Sequence, residues 1–210
     1  MALLFLIRYP LPGLQPSVDG KNEVVEQIKE EQQVDNLSCV LETSAKEVGV
    51  KEYGGNNKGS RIGEYLKVTN LPEGYAWCAA FVCWVMEQCG LDHPSSAWSP
   101  VVATHNTIYK RGDEYFPNMQ DGLVFGLYYE NLKRIGHVGI IYKIQGNKVY
   151  TIEGNTSGSK TREGDGVHRL IRPKKSIYRI SKYGKRKNKD ANTRSNGIST
   201  NSISNIAIPR

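Results

Sequence analysis

No stretch of this 210-residue sequence approaches the roughly 18 to 20 apolar residues needed for a membrane-spanning helix, and the longest candidate runs only from Ala2 to Ile7. That stretch has no basic residue before its apolar positions and meets Arg8 and Pro10 soon after them, so a secretory signal peptide is not expected either. Residues 1–20 read instead as a non-cleaved, poorly ordered N-terminal segment. Cysteine is equally sparse. The four cysteines, Cys39, Cys78, Cys83 and Cys89, form no CxxC pair, and the four histidines stand too far apart for a zinc-finger pattern. No metal site and no cofactor is expected. With 39% hydrophobic residues and about 150 residues per typical domain, the chain has material for one packed domain plus tails, not for two full domains.

What the sequence does have is positive charge at one end. The net charge is +7, yet eleven Lys or Arg against the single acid Asp190 fall between Arg172 and Arg210. Like charges among Ser, Asn, Gly and Thr cannot bury enough apolar surface to offset their ordering entropy. Residues 176–210 are therefore expected to be a solvated basic tail, with attraction to an anionic polymer or to nucleic acid as its functional alternative.

Between the two ends lies the expected domain, residues 21–175. Helical periodicity predicts one helix over Asn22–Val34 and a second over Asn36–Val48, before a Gly-rich break at 53–60. A short helix is expected over Arg61–Lys67. The run WCAAFVCWVMEQCG then reads as a helix apolar on nearly every side, ended by Gly90, and such a helix belongs at the centre of a fold. Loops follow, and then the strand-like runs GLVFGLYYE, HVGIIYKI and KVYTIEG, with another strand near Val167–Ile171. Helices first and antiparallel strands afterwards predict an α+β domain in which the N-terminal helices pack on a small antiparallel β-sheet.

Cys78 would lie in the first turn of the central helix, where free backbone N–H groups and the helix dipole favour a thiolate. Cys78 and Cys89 are too far apart along that helix to bridge, roughly 16 Å, so Cys78 is expected to be a free thiol; Cys83 and Cys89 read as small core residues. A thiol nucleophile needs an imidazole, and the imidazole needs an acceptor. His137 opens a strand, and Glu153 and Asn155 follow on the next strand, on one face because they are two residues apart. His93, His105 and His168 are expected to take no part in catalysis, though His168, Asp165, Trp98, Tyr128 and Tyr129 could line a cleft.

The WCAAFV helix start, the GHVGI strand and the EGN segment resemble the CHAP family, the cysteine, histidine-dependent amidohydrolases/peptidases, over about Cys39 to Pro173. The upstream stretch EVGVKEYGGNNKGSRIGEYL resembles the lead-in of phage and bacterial members that act on peptidoglycan. The resemblance implies a papain-like, NlpC-like fold and a catalytic set of Cys78, His137, Glu153 and Asn155. It implies a peptidoglycan hydrolase, an N-acetylmuramoyl-L-alanine amidase or an endopeptidase, of the phage endolysin or virion-associated type. Such an enzyme would stay in the cytoplasm of the producing cell until lysis, or travel with the virion, and then act on the bacterial wall. Two rival readings share these residues: a papain-like protease acting on protein, and a wall-binding or virion module without turnover.

The sequence departs from the family twice. The family's Gly-Asp turn before the histidine strand is reversed here as Asp121-Gly122, and no Gln precedes the nucleophile in LPEGYAW. The Cys78 backbone N–H must then hold the oxyanion, with Tyr75 as candidate second donor. The hairpin supplies a geometric condition. A plain two-residue turn at Gly146-Asn147 would pair His137 with Thr156 and send Glu153 to the wrong face. An odd-length loop or a compensating bulge is required.

Overall fold

The computed structural model describes residues 18–117, 122–157 and 164–184. The expectations for residues 1–17, for Asp121 and for the tail beyond 184 lie outside these. The chain divides into two units, residues 1–35 and residues 36–210.

The described part of the first unit, residues 18–35, is helical and belongs to helix α1, Val18–Lys46. Two helices were expected here, with a break near Asp35. No Gly or Pro stands between Val34 and Asn36, and Asp and Asn cost a helix only a few tenths of a kcal/mol each, about 0.7 at most, so the backbone continues through them.

The second unit holds the remaining helices, α2 Ser60–Lys67, α3 Cys78–Gln88 and α4 Ser99–Thr104, and six strands: β1 Thr107–Lys110, β2 Leu123–Tyr129, β3 Arg134–Gln145, β4 Lys148–Thr156, β5 Gly166–Pro173 and β6 Ile177–Ser181. They form one antiparallel sheet in the order β1-β6-β2-β3-β4-β5, so the unit is α+β. The apolar composition of α3 has the expected consequence, because every residue from Cys78 to Met86 is buried. Val40, Ile62, Tyr65 and Leu66 from the helices, and Val124, Val138, Ile140 and Ile152 from the sheet, belong to the same core. Each such side chain contributes about 1.5–3 kcal/mol on burial. Gly154 makes the approach possible: a Cβ there would lie 2.6 Å from the Trp77 ring and 2.8 Å from that of Phe81.

Three features differ from expectation. The strand β6 buries Ile177, Ile180 and Ser181 in the sheet, and Tyr183 beyond it donates to the Val102 carbonyl at 2.7 Å. The domain boundary drawn at 175 therefore falls too early; the apolar alternation of IYRIS lay hidden inside a basic run. Secondly, residues 99–110, read as loop, hold α4 and β1. Pro100 starts α4 rather than breaking it, since the first helical turn needs no N–H there. Thirdly, Cys89 is not a lone core cysteine: it forms a disulfide with Cys39 of α1, Cα to Cα 5.8 Å. The bridge joins residues 50 positions apart in sequence, so no spacing signal announced it. Cys78 and Cys83 are free thiols.

Candidate active site

Cys78 is the first residue of α3, and no side chain of the N-cap residue Trp77 caps that helix end, so its first N–H groups have no capping acceptor there. Its Sγ lies 3.4 Å from Oγ of Ser99, the buried first residue of α4. His137 arrives from β3 and is buried, and its Nε2 lies 2.8 Å from Oε2 of Glu153, itself fully buried on β4. With Nε2–H donating to that carboxylate, Nδ1 is the nitrogen left for the thiol.

The hairpin satisfies the condition read from the sequence. The turn has two residues, with Gln145 paired to Lys148 and Gly146 at φ 56. A bulge between Ile141 and Lys143 then shifts the register by one residue, pairing Ile141 with Thr151 and Ile140 with Ile152. That shift returns Glu153 to the face of His137. Gly139 leaves the space between them, because a Cβ there would sit 2.8 Å from Glu153 Cγ.

Two residues that sequence reasoning missed complete the carboxylate's surroundings. Arg172 on β5 clamps Glu153 with a fork, Nε to Oε1 at 2.8 Å and Nη2 to Oε2 at 2.5 Å, and Thr151 Oγ1 donates to Oε1 at 2.5 Å. Arg172 is one of the eleven cations of the C-terminal run, with no signal of its own inside the expected domain; the β4–β5 pairing brings it to Glu153.

The charges follow from these contacts. Burial opposes ionisation of Glu153, but the fork from Arg172 and the bond from His137 outweigh it and draw the carboxyl down to about 2. Burial likewise disfavours a charged His137, yet hydrogen bonding and charge from Cys78 and Glu153 push it well above the ordinary imidazole value. Burial would raise the Cys78 thiol; His137, then Ser99 and the Val138 backbone, hold it below its usual value. The two shifts run toward a thiolate–imidazolium pair, the nucleophilic form of a cysteine. Cys83, by contrast, is pushed up to about 11 by burial, as befits an inert core thiol.

Asn155 is placed differently. It sits at φ 51, its side-chain amide lies 2.6 Å from that of Asn57, and the orientation that satisfies its neighbours has Oδ1 accepting from the Trp77 backbone N–H at 3.0 Å. It ties the start of α3 to the 53–60 loop, the alternative to a contact with the His137 ring. Tyr75 is half-buried and lines a cleft of about 670 Å³ together with Cys78, Asn57, Trp98 and Arg134. Of the other aromatics, Tyr128 packs on Tyr178, ring centroids 4.8 Å apart, and Tyr129 closes over Gly136. His168 and Asp165 form an exposed cluster with Lys51, and His105 lies 3.5 Å from Asp92. Among the described residues no group of three or more His, Cys, Asp or Glu is arranged to hold a metal ion.

A buried thiol beside an imidazole, the imidazole fixed by a carboxylate, and a cleft opening onto the sulfur can together perform nucleophilic acyl transfer. No curated protein and no solved structure matches the chain. Residues 70–155, the stretch that carries Cys78, His137, Glu153 and Asn155, match the family model of the CHAP domain, which supports a CHAP-domain protein.

Proposed function

We propose that this protein is a cysteine amidohydrolase or peptidase that cuts an amide bond of bacterial peptidoglycan. The observation that carries the reading is the line from Cys78 through His137 to the buried, clamped Glu153, lying within the segment that matches the CHAP domain; CHAP domains are generally amidases or peptidases of the cell wall. Cys78 thiolate attacks the substrate carbonyl carbon, and the oxyanion forms against the free N–H groups at the start of α3. His137 gives its proton to the leaving amine, then takes one from water as that water attacks the thioester, which returns the free enzyme. Glu153 keeps the imidazole oriented and charged, Arg172 keeps Glu153 anionic, and Asn155 is a positioning residue for the helix start. Tyr75 is the nearby candidate for a second oxyanion donor. No metal or cofactor takes part in these steps.

In finer detail the fold is papain-like and NlpC-like, and the role is degradation of the host wall by a phage, as an endolysin or a virion-associated lysin, after release from the producing cell's cytoplasm or carriage on the particle. The Cys39–Cys89 disulfide suits a site of action outside a reducing cytoplasm. The basic tail favours contact with anionic wall polymers.

Purified peptidoglycan, followed by turbidity with the wild type and Cys78→Ala, tests the reading. Clearing by the wild type alone is expected, and mass spectrometry of the fragments then separates a muramoyl–alanine amidase from an endopeptidase. Equal binding without clearing by either protein would replace it with the non-catalytic wall-binding module. Cleavage of intact protein substrates in preference to wall would replace it with a papain-like protease.

A further inference from the structure

The catalytic cluster is balanced by contacts among its own groups: Cys78 beside His137, and Glu153 against both His137 and Arg172. The cleft beside it carries a cation that this balance does not use. Arg134, three residues before His137 on β3, lines the cleft with Cys78 and lies over the Trp98 ring, 4.1 Å from its centroid. Among the described residues it makes no ion pair; its Nη1 donates to the neighbouring Ile135 carbonyl at 3.0 Å. The acid that also lines the cleft, Glu73, is exposed and accepts from the Gly59 N–H at 3.3 Å. A half-buried guanidinium held over an indole is pre-ordered, and its remaining N–H groups form a fork matched to a planar carboxylate.

We propose that Arg134, seated on Trp98, is a specificity subsite that binds a free carboxylate of the peptide substrate beside the scissile amide. The proposal rests on the hydrolysis reading for its substrate class, since a peptide carrying a carboxylate next to the bond attacked by Cys78 is what the cleft accepts. Binding at Arg134 needs no turnover, so the two can fail separately. Trp98 supplies the apolar platform that keeps the guanidinium partly desolvated, where a charge-assisted pair is stronger than in water.

The test uses two synthetic peptides that differ only in a free α-carboxylate or its carboxamide next to the cleaved amide. Binding is measured by calorimetry on Cys78→Ala, and kcat/KM on protein with Cys78 intact. The carboxylate peptide should be preferred about ten- to hundredfold. Arg134→Gln should remove most of that preference, acting on the carboxylate peptide and changing the carboxamide less than threefold. Arg134→Lys, which keeps charge but not the fork, should restore part of it, with melting curves showing that both variants fold. A preference that survives Arg134→Gln, or a loss equal on both peptides, overturns the subsite. Preferential binding by Cys78→Ala without cleavage by the wild type would leave the subsite standing and remove the hydrolase reading.

Discussion

Two trios of histidine, carboxylate and cation meet at strand β5, which carries Arg172 of the first and His168 of the second, and Glu153 of the first is the register partner of His168. In the first, His137, Glu153 and Arg172 meet around a carboxylate with no solvent exposure. In the second, His168 and Lys51 each lie 2.6 Å from Asp165, but Asp165 and Lys51 are more than half exposed. The residue types are nearly the same and the distances are as short. Water separates them: it screens the exposed carboxylate and ammonium of the second trio to little energetic consequence, while the carboxylate and imidazole of the first are removed from water and strongly coupled. The bulge in β3 and the glycines that let β4 close on α3 decide which trio reaches the thiol.

The contrast can be broken from its strong side first. Glu153→Gln leaves Arg172 without its anion and His137 without its orienting charge. Stability should fall by about 3–5 kcal/mol, read in thermal or urea melts, and wall clearing by about a hundredfold or more. Acid should produce a related loss without mutation. Glu153 has its carboxyl depressed in the folded state, so its contribution is present above the ordinary 4.5 and disappears as pH falls from there toward about 2. That contribution is about 3 kcal/mol, and urea midpoints measured across this window should show it in the wild type and not in Glu153→Gln.

Arg172→Met is expected to have a smaller effect of a distinct kind. The carboxyl of Glu153 loses the first of the partners that hold it down, so the acid limb of the pH–rate profile should move to higher pH, with about a tenfold drop in kcat near neutrality. A drop with an unmoved limb would make Arg172 merely structural. The smallest effect belongs to the exposed trio. The Asp165 carboxyl is held low chiefly by Lys51, yet it is open to solvent, so Asp165→Asn should change stability by about 0.5 kcal/mol or less and leave wall clearing intact. A larger cost would show that exposure does not separate the two trios.

The residues themselves show much of this site. The buried helix from Cys78, the strand of His137 and the strand of Glu153 follow from apolar periodicity and from the order of the chemistry-bearing residues. The hairpin could even be given a condition, an odd loop or a bulge, because strand faces alternate with period two and a one-residue slip inverts them. Its fulfilment by a bulge at Tyr142 rather than by the loop was open until the pairing was known. Arg172, Ser99 and Asn57 carried no local signal: each comes from a separate segment and gains its role through a neighbour distant in sequence. Charge counting concealed Arg172 and β6 alike within the basic C-terminal run.

The sequence by itself determined the helix that must be buried, the thiol at its first turn and the strands that carry imidazole and carboxylate, because local periodicity and helix-end electrostatics act over a few residues. The tertiary structure decided which cation clamps Glu153, which cysteine bridges to Cys39 and which arginine stands in the cleft without an ion pair among the described residues. Those choices depend on strand register and on exclusion of water, and both are set by contacts between segments that no local pattern encodes.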